Sequence, residues 1–190
     1  MIKSALKIGL VSEILSFSLF SAAAIPATAG KDKKPNILFC IFDDASFDHF
    51  KANGCKWINT PGFDRVAQEG IRFQNFYTTS AKCAPSRSSI LTGLYPWQLK
   101  EAANHIGQFP PEFKVFPEVL KDNGYKIGYT GKPWGPGTAK TADGKDRSLT
   151  GTPYQKRTIS PPTGEISKVD YAANFSDFLE ETSNGKPWFF

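Results

Sequence analysis

The sequence predicts an α/β fold with a mainly parallel sheet, and three stretches carry that prediction. Ile37 to Phe42 is a continuous apolar run, entered through Pro35-Asn36 and closed by Asp43-Asp44. Runs that are apolar on both faces mark the inner strands of parallel sheets, which helices cover above and below. Residues 115–123 place Phe116, Val119 and Leu120 on one helical face with Pro117 in the first turn, and Gly124 stops them. Tyr125 to Thr130 follows as a strand with Gly131-Lys132 at its carboxyl end, and this order implies a right-handed crossover into a parallel sheet. Tyr171 to Glu181 reads as a helix behind Asp170 with Phe175, Phe178 and Leu179 inward. Ser183-Asn184-Gly185 ends it, and Lys186 to Phe190 begins another buried strand.

The remaining elements follow in chain order. Lys3 and Lys7 precede a mainly apolar run from Ile14 to Ile25, and Ala27-Thr28-Ala29 lies before Gly30. Basic start, apolar middle and small residues read together as a cleaved secretory signal over 1–29, although Glu13 separates Ile8 to Leu10 from the main run. The uninterrupted apolar part falls short of the roughly 20 residues of a spanning helix. The chain is therefore expected to be periplasmic or secreted, meeting a membrane only through the export signal. Residues 30–34 are a charged linker, and 35–190 form the folded part. Ala45 to Thr60 is loop, with Asn53-Gly54 as a turn. Thr60 to Gly70 is a short helix, capped by Thr60 and opened by Pro61, with Phe63, Val66 and Ala67 on one face. Ile71 to Tyr77 alternates as a strand that delivers the chain to Cys83. Gln98 to Pro111 is a polar loop containing Asn104 and His105, and Gly135 to Pro162 is a long Gly/Pro/Thr/Lys-rich surface loop.

Composition narrows the function classes. With 40% hydrophobic and 22% charged residues, the 190-residue chain is an ordinary globular one with a single sizeable core. The formal net charge of +5 is scattered, so it permits an anionic partner. No Lys/Arg block or aromatic-basic repeat occurs, which argues against nucleic acid. The cysteine count is odd: Cys40, Cys55 and Cys83. If Cys83 is consumed chemically, Cys40 and Cys55 remain for a disulfide, with a reduced thiol in the strand as the alternative.

Three sites are candidates for chemistry. Asp43 and Asp44 stand beyond the carboxyl end of a buried strand, where ligands of open α/β sheets gather. Adjacent carboxylates repel unless a cation or donors compensate, and their hard oxygens suit Ca²⁺ or Mg²⁺. Cys83 lies at a helix start, Pro85 suits the first turn, and Gly93 is the stop. The free N–H groups of a helix start favour an anion. Lys132, after a strand and beside Gly131, can project its ammonium onto an anion bound at the same edge.

Cys83-Ala84-Pro85-Ser86-Arg87, followed by Leu91-Thr92-Gly93, resembles the signature of type I sulfatases, whose cysteine is oxidised to formylglycine. The Asp43-Asp44 strand and the Gly131-Lys132 turn followed by Gly-Pro resemble the heparan N-sulfatase-like branch. The resemblance covers about Lys34 to Phe190, the first part of a catalytic domain. It implies an alkaline-phosphatase-like three-layer sandwich, incomplete at the C-terminus, whose further Asp/Asn pair, His and second Lys lie beyond Phe190. It also implies a role for each residue. Cys83, as formylglycine hydrate, attacks sulfur and ligates Ca²⁺ with Asp43 and Asp44; Arg87 orients the hydrate; Lys132 binds a sulfate oxygen. The implied partners are a sulfated carbohydrate substrate and the formylglycine-generating enzyme. One departure stands out. Many sulfatases have a histidine two residues after the lysine, and here that residue is Trp134. Two other readings stay open: a phosphonate or phosphodiester hydrolase on the same scaffold, and a non-catalytic fragment binding sulfated glycans through Lys140, Lys145, Arg147, Lys156 and Arg157.

Overall fold

The computed structural model describes residues 33–182 and 185–190, so the expected signal over 1–29 and most of the 30–34 linker lie outside the described residues. Four helices are α1 (Pro61–Glu69), α2 (Cys83–Thr92), α3 (Phe116–Asp122) and α4 (Tyr171–Glu180). Five short strands are β1 (Gly107–Phe109), β2 (Lys126–Tyr129), β3 (Gly137–Ala139), β4 (Thr152–Pro153) and β5 (Trp188–Phe189). All their pairings are parallel: one sheet runs β4-β2-β5, and β1 pairs with β3 in a second.

Parallel pairing of β2 with β5 makes the connection through α4 a crossover, and the side chains of β5 show how the layers form. Successive strand residues point to opposite faces. Trp188 and Phe190 meet Phe175 and Phe178 of α4, whereas Phe189 meets Phe116 of α3 edge to face at 5.1 Å. The sheet is thus covered on both faces, helix on sheet on helix. Asp170 caps α4, its carboxylate accepting a hydrogen bond from the Ala173 N–H at 2.9 Å. A second core joins Leu91 of α2 to Leu99, Ala102, Phe109, Val115 and Leu149, all buried.

Three expectations need correction. The apolar run Ile37 to Phe42 reaches the sheet through a single parallel bridge, Ile37 to Phe189. Leu38, Phe39, Ile41 and Phe42 are between 43% and 61% exposed, so the run is not a buried inner strand among the described residues. An apolar run states what a strand can bury, whereas its neighbours decide what is buried. Ile71 to Tyr77 forms no strand, and its apolar side chains face solvent because no partner strand lies alongside. Two of the stretches expected to be loops, 98–111 and 135–162, hold β1, β3 and β4, strands too short to show an alternation in sequence. Of the two readings left open for Cys40 and Cys55, the reduced one holds: both are free thiols, Cys40 exposed and Cys55 buried.

Candidate active site

The carboxyl edge of the sheet gathers three of the expected residues. Lys132 follows β2 through Gly131, which has φ +74 and packs so closely on the Tyr171 ring that a Cβ would lie 2.6 Å from it. Only glycine fits both the left-handed backbone and that contact. Gln155 fixes the turn by donating to the Gly131 carbonyl at 2.9 Å. From there the Lys132 ammonium donates to Asp43 Oδ2 at 2.6 Å. Asp43 reaches this edge because the segment before it runs alongside β5, with Phe39 N–H donating to the Phe190 carbonyl at 2.8 Å.

Arg87 ties the edge to helix α2. The residue is 6% exposed, and Nη1 donates to the Lys132 carbonyl at 2.6 Å and more weakly to the Pro133 carbonyl at 3.5 Å. Nη2 faces Asp43 Oδ1 at 3.5 Å. Two cations therefore share one carboxylate. The hydrogen bond from Lys132 is the main cause holding the Asp43 carboxyl below its ordinary range, with Arg87 adding to it and partial burial opposing. The same bond raises the Lys132 ammonium above its ordinary range, with the charge of nearby Cys83 a smaller contribution.

Cys83 occupies the first position of α2, one helical turn before Arg87. Its Sγ lies 3.4 Å from Nδ1 of His105. His105 is the residue that motif reasoning passed over. It is one of two histidines in the chain and sits in a polar loop with no local pattern to mark it. Trp134, where a histidine was expected, turns away from the edge: its indole N–H donates to Ser88 Oγ at 2.7 Å and its ring meets Phe109 edge to face at 5.4 Å. The structure thus joins Asp43, Arg87 and Lys132 directly and sets Cys83 beside them against His105. Asp44 takes the left-handed conformation, φ 55, and enters none of the ion pairs among the described residues.

Whether this donor set suits Ca²⁺ follows from its chemistry. The paired carboxylates of Asp43 and Asp44 are hard oxygen donors of the right kind. They supply only part of the roughly six to eight oxygens that Ca²⁺ takes. No cluster of three or more His, Cys, Asp or Glu side chains that could hold a metal occurs among the described residues. Beside the cluster opens a cleft of about 700 Å³, with Asp43, Arg87 and Lys132 in its wall and Phe39, Ile41 and Phe175 among its apolar lining.

Comparison with known proteins adds a family and a fold. The family model described as Sulfatase matches residues 35–190. An N-acetylgalactosamine-6-O-sulfatase of Bacteroides thetaiotaomicron is 35% identical over 104 residues, covering 53% of this chain and 20% of that protein. An ulvan-active sulfatase of Formosa agariphila is 35% identical over 112 residues, 59% of this chain and 22% of that protein. The chain spans about a fifth of the length of these curated relatives. A solved structure described in complex with its substrate D-glucosamine-2-N,6-O-disulfate superposes with a TM-score of 0.52 at 26% identity, covering 83% of this chain and 33% of that one. Another, with a TM-score of 0.56 at 21% identity over 82% of this chain and 44% of that one, shows the fold alone.

Proposed function

Because the chain belongs to the sulfatase family, we propose that it supplies the nucleophile and the anion-holding edge of an enzyme that hydrolyses sulfate esters of a saccharide. One observation carries the reading: Asp43, Lys132 and Arg87 form a cluster of one carboxylate and two cations, beside Cys83 at a helix start. Its net charge of one positive unit matches the single negative charge of a sulfate monoester. Lys132, with its side chain 38% exposed, binds a sulfate oxygen. Asp43 keeps that ammonium protonated and aimed, so the donor needs no reorganisation when charge develops on the sulfate. Arg87, buried and bonded to the Lys132 carbonyl, fixes the distance between α2 and the lysine turn. Formylglycine at position 83 would supply the oxygen nucleophile, and Asp43, Asp44 and residue 83 would hold Ca²⁺ (with Mg²⁺ as the alternative), which would supply Lewis-acid polarisation when bound.

Sulfate is favoured over phosphate because the relatives named above are sulfatases. Residues of the basic loop largely have partners of their own, which disfavours a glycan-binding pseudoenzyme: Lys140 pairs with Asp146, Lys145 with Asp143, Arg147 with Glu118 and Arg157 with Asp177. We further assign residues 1–29 as an export signal to the periplasm or exterior, and a formylglycine-generating enzyme as the modifying partner. The test is mass spectrometry of the Cys83 peptide after coexpression of the full-length protein with that enzyme, together with sulfate release from a sulfated hexosamine. Aldehyde at residue 83 with sulfate released is the expected result. An unmodified cysteine together with turnover of phosphate esters alone would overturn the reading.

A further inference from the structure

We infer that His105 is the hydrogen-bonding partner of the nucleophile at position 83. This assignment rests on the sulfatase reading above and adds a residue to it. The first observation is the contact itself, Cys83 Sγ to His105 Nδ1 at 3.4 Å, within range for a bond involving sulfur. It spans 22 residues, so local sequence does not impose it.

The second observation is how the chain is made to return. Helix α2 carries the backbone about 15 Å away from Cys83 over ten residues. A 3-10 turn over Lys100–Ala103 then reverses it, anchored by Leu99 and Ala102, both fully buried against the core that includes Leu91. The return is held in a costly backbone. Ile106 adopts φ 64, and for a β-branched residue a left-handed conformation is a true outlier. Ile106 N–H donates to the Pro136 carbonyl at 2.9 Å, and Gly107 sits so tightly on the Glu101 carbonyl that a Cβ would approach within 2.1 Å. Parallel pairing of β1 with β3 then locks Gly107 against Gly137. His105 is the residue immediately before this strained and tied segment, and its ring points to Cys83. Strain of this kind persists where surrounding structure over-determines it, and it clusters at functional sites.

The third observation concerns Trp134. Its only polar atom, the indole N–H, is committed to Ser88 Oγ, which in turn donates to the Ala84 carbonyl. An indole is a donor without an acceptor. It therefore offers residue 83 neither of the two bonding modes of an imidazole. His105 and Trp134 lie just before the two strands joined by the β1–β3 pairing, so the imidazole arrives from the segment alongside.

The experiment compares His105→Asn, which keeps a polar group near the Nδ1 position, with His105→Leu, which keeps bulk and removes hydrogen bonding. Both are made in the full-length protein coexpressed with the formylglycine-generating enzyme. His105→Leu is expected to lower kcat on an aryl sulfate about a hundredfold, with KM within about threefold and conversion of residue 83 unchanged by mass spectrometry. His105→Asn is expected to recover at least about tenfold of that loss. A readout independent of turnover is the labelling rate of the residue-83 aldehyde with an aminooxy probe: faster in His105→Leu than in wild type, and close to wild type in His105→Asn. Converted proteins in which the Leu and Asn variants behave alike in both assays overturn the assignment alone. A wild-type residue 83 that stays cysteine overturns the sulfatase reading and this assignment with it.

Discussion

Two arginines with sheltered side chains, Arg87 and Arg147, do the same mechanical job at two places in the molecule, and the carboxylate each one meets separates structure from chemistry. Arg147 donates to the Phe113 carbonyl at 2.8 Å, grips Glu118 through two bonds of 2.7 Å, and lies over the Phe109 ring. Arg87 likewise donates to backbone, the Lys132 carbonyl at 2.6 Å, and faces Asp43. The Arg147 clamp is balanced, one cation to one anion in bidentate geometry. At Arg87 the carboxylate is shared with Lys132, the arginine contact is longer at 3.5 Å, and one positive charge is left over. A balanced, well-aligned pair has nothing left to bind with. An unbalanced one at a cleft wall keeps the capacity to hold an anion.

The most damaging way to break the comparison is at the balanced end. Glu118→Ala strands the Arg147 guanidinium in a site where its side chain is 9% exposed. Loss of one partner of such a pair is expected to cost about 3 kcal/mol, read as a fall in the denaturant midpoint of the full-length protein, while kcat per folded molecule is unchanged. Lys132→Ala should do the reverse. The exposed Lys132–Asp43 pair contributes less than about 1 kcal/mol to stability, but kcat/KM for a sulfate ester should fall about a hundredfold. If stability drops as far as in Glu118→Ala while turnover survives, the division between the two arginines is wrong. The smallest effect is on pH. Glu118 is partly buried, which opposes its ionisation, yet Arg147 and the Val115 N–H hold its carboxyl below the ordinary range. A depressed carboxylate contributes stability that is fully present above its unfolded value, about 4.3, and lost as pH falls through the lower folded value. Acid titration of wild type should therefore lose this increment below about pH 4, and Glu118→Gln should flatten that part of the curve.

How much of this was legible in the sequence depends on the distance over which each feature is encoded. The α2 helix with its start at Cys83, the α3 helix and the Gly131-Lys132 turn are local, set by Pro85, by the apolar spacing of 116–120 and by glycines, and they stand where the residues put them. Asp43 was marked by its place after an apolar run, and the edge it belongs to is the predicted one. His105 was not legible, because its approach to Cys83 depends on a three-residue parallel pairing of β1 with β3 and on a left-handed Ile106. Neither leaves a periodic trace. The misread burial of residues 38–42 has the same origin, since hydrophobicity is a property of the residue and burial is a property of its neighbours. Lys140, Lys145 and Arg147 were counted as a basic loop, but counting charges along a sequence cannot show that Asp146, Asp143 and Glu118 fold onto them.

The bond from Trp134 to Ser88 has a use as an optical one. Of the four tryptophans, Trp57 and Trp97 are more than 70% exposed and lie open to a collisional quencher in solution. Trp134 is more sheltered, two residues from Lys132 and hydrogen-bonded to the helix that begins at Cys83. With the exposed pair quenched and Trp188 of β5 replaced in a Trp188→Phe variant, emission from this indole becomes an intrinsic, label-free reporter at the joint between lysine turn and helix. Arrival of an anion can then be followed there by fluorescence, without turnover.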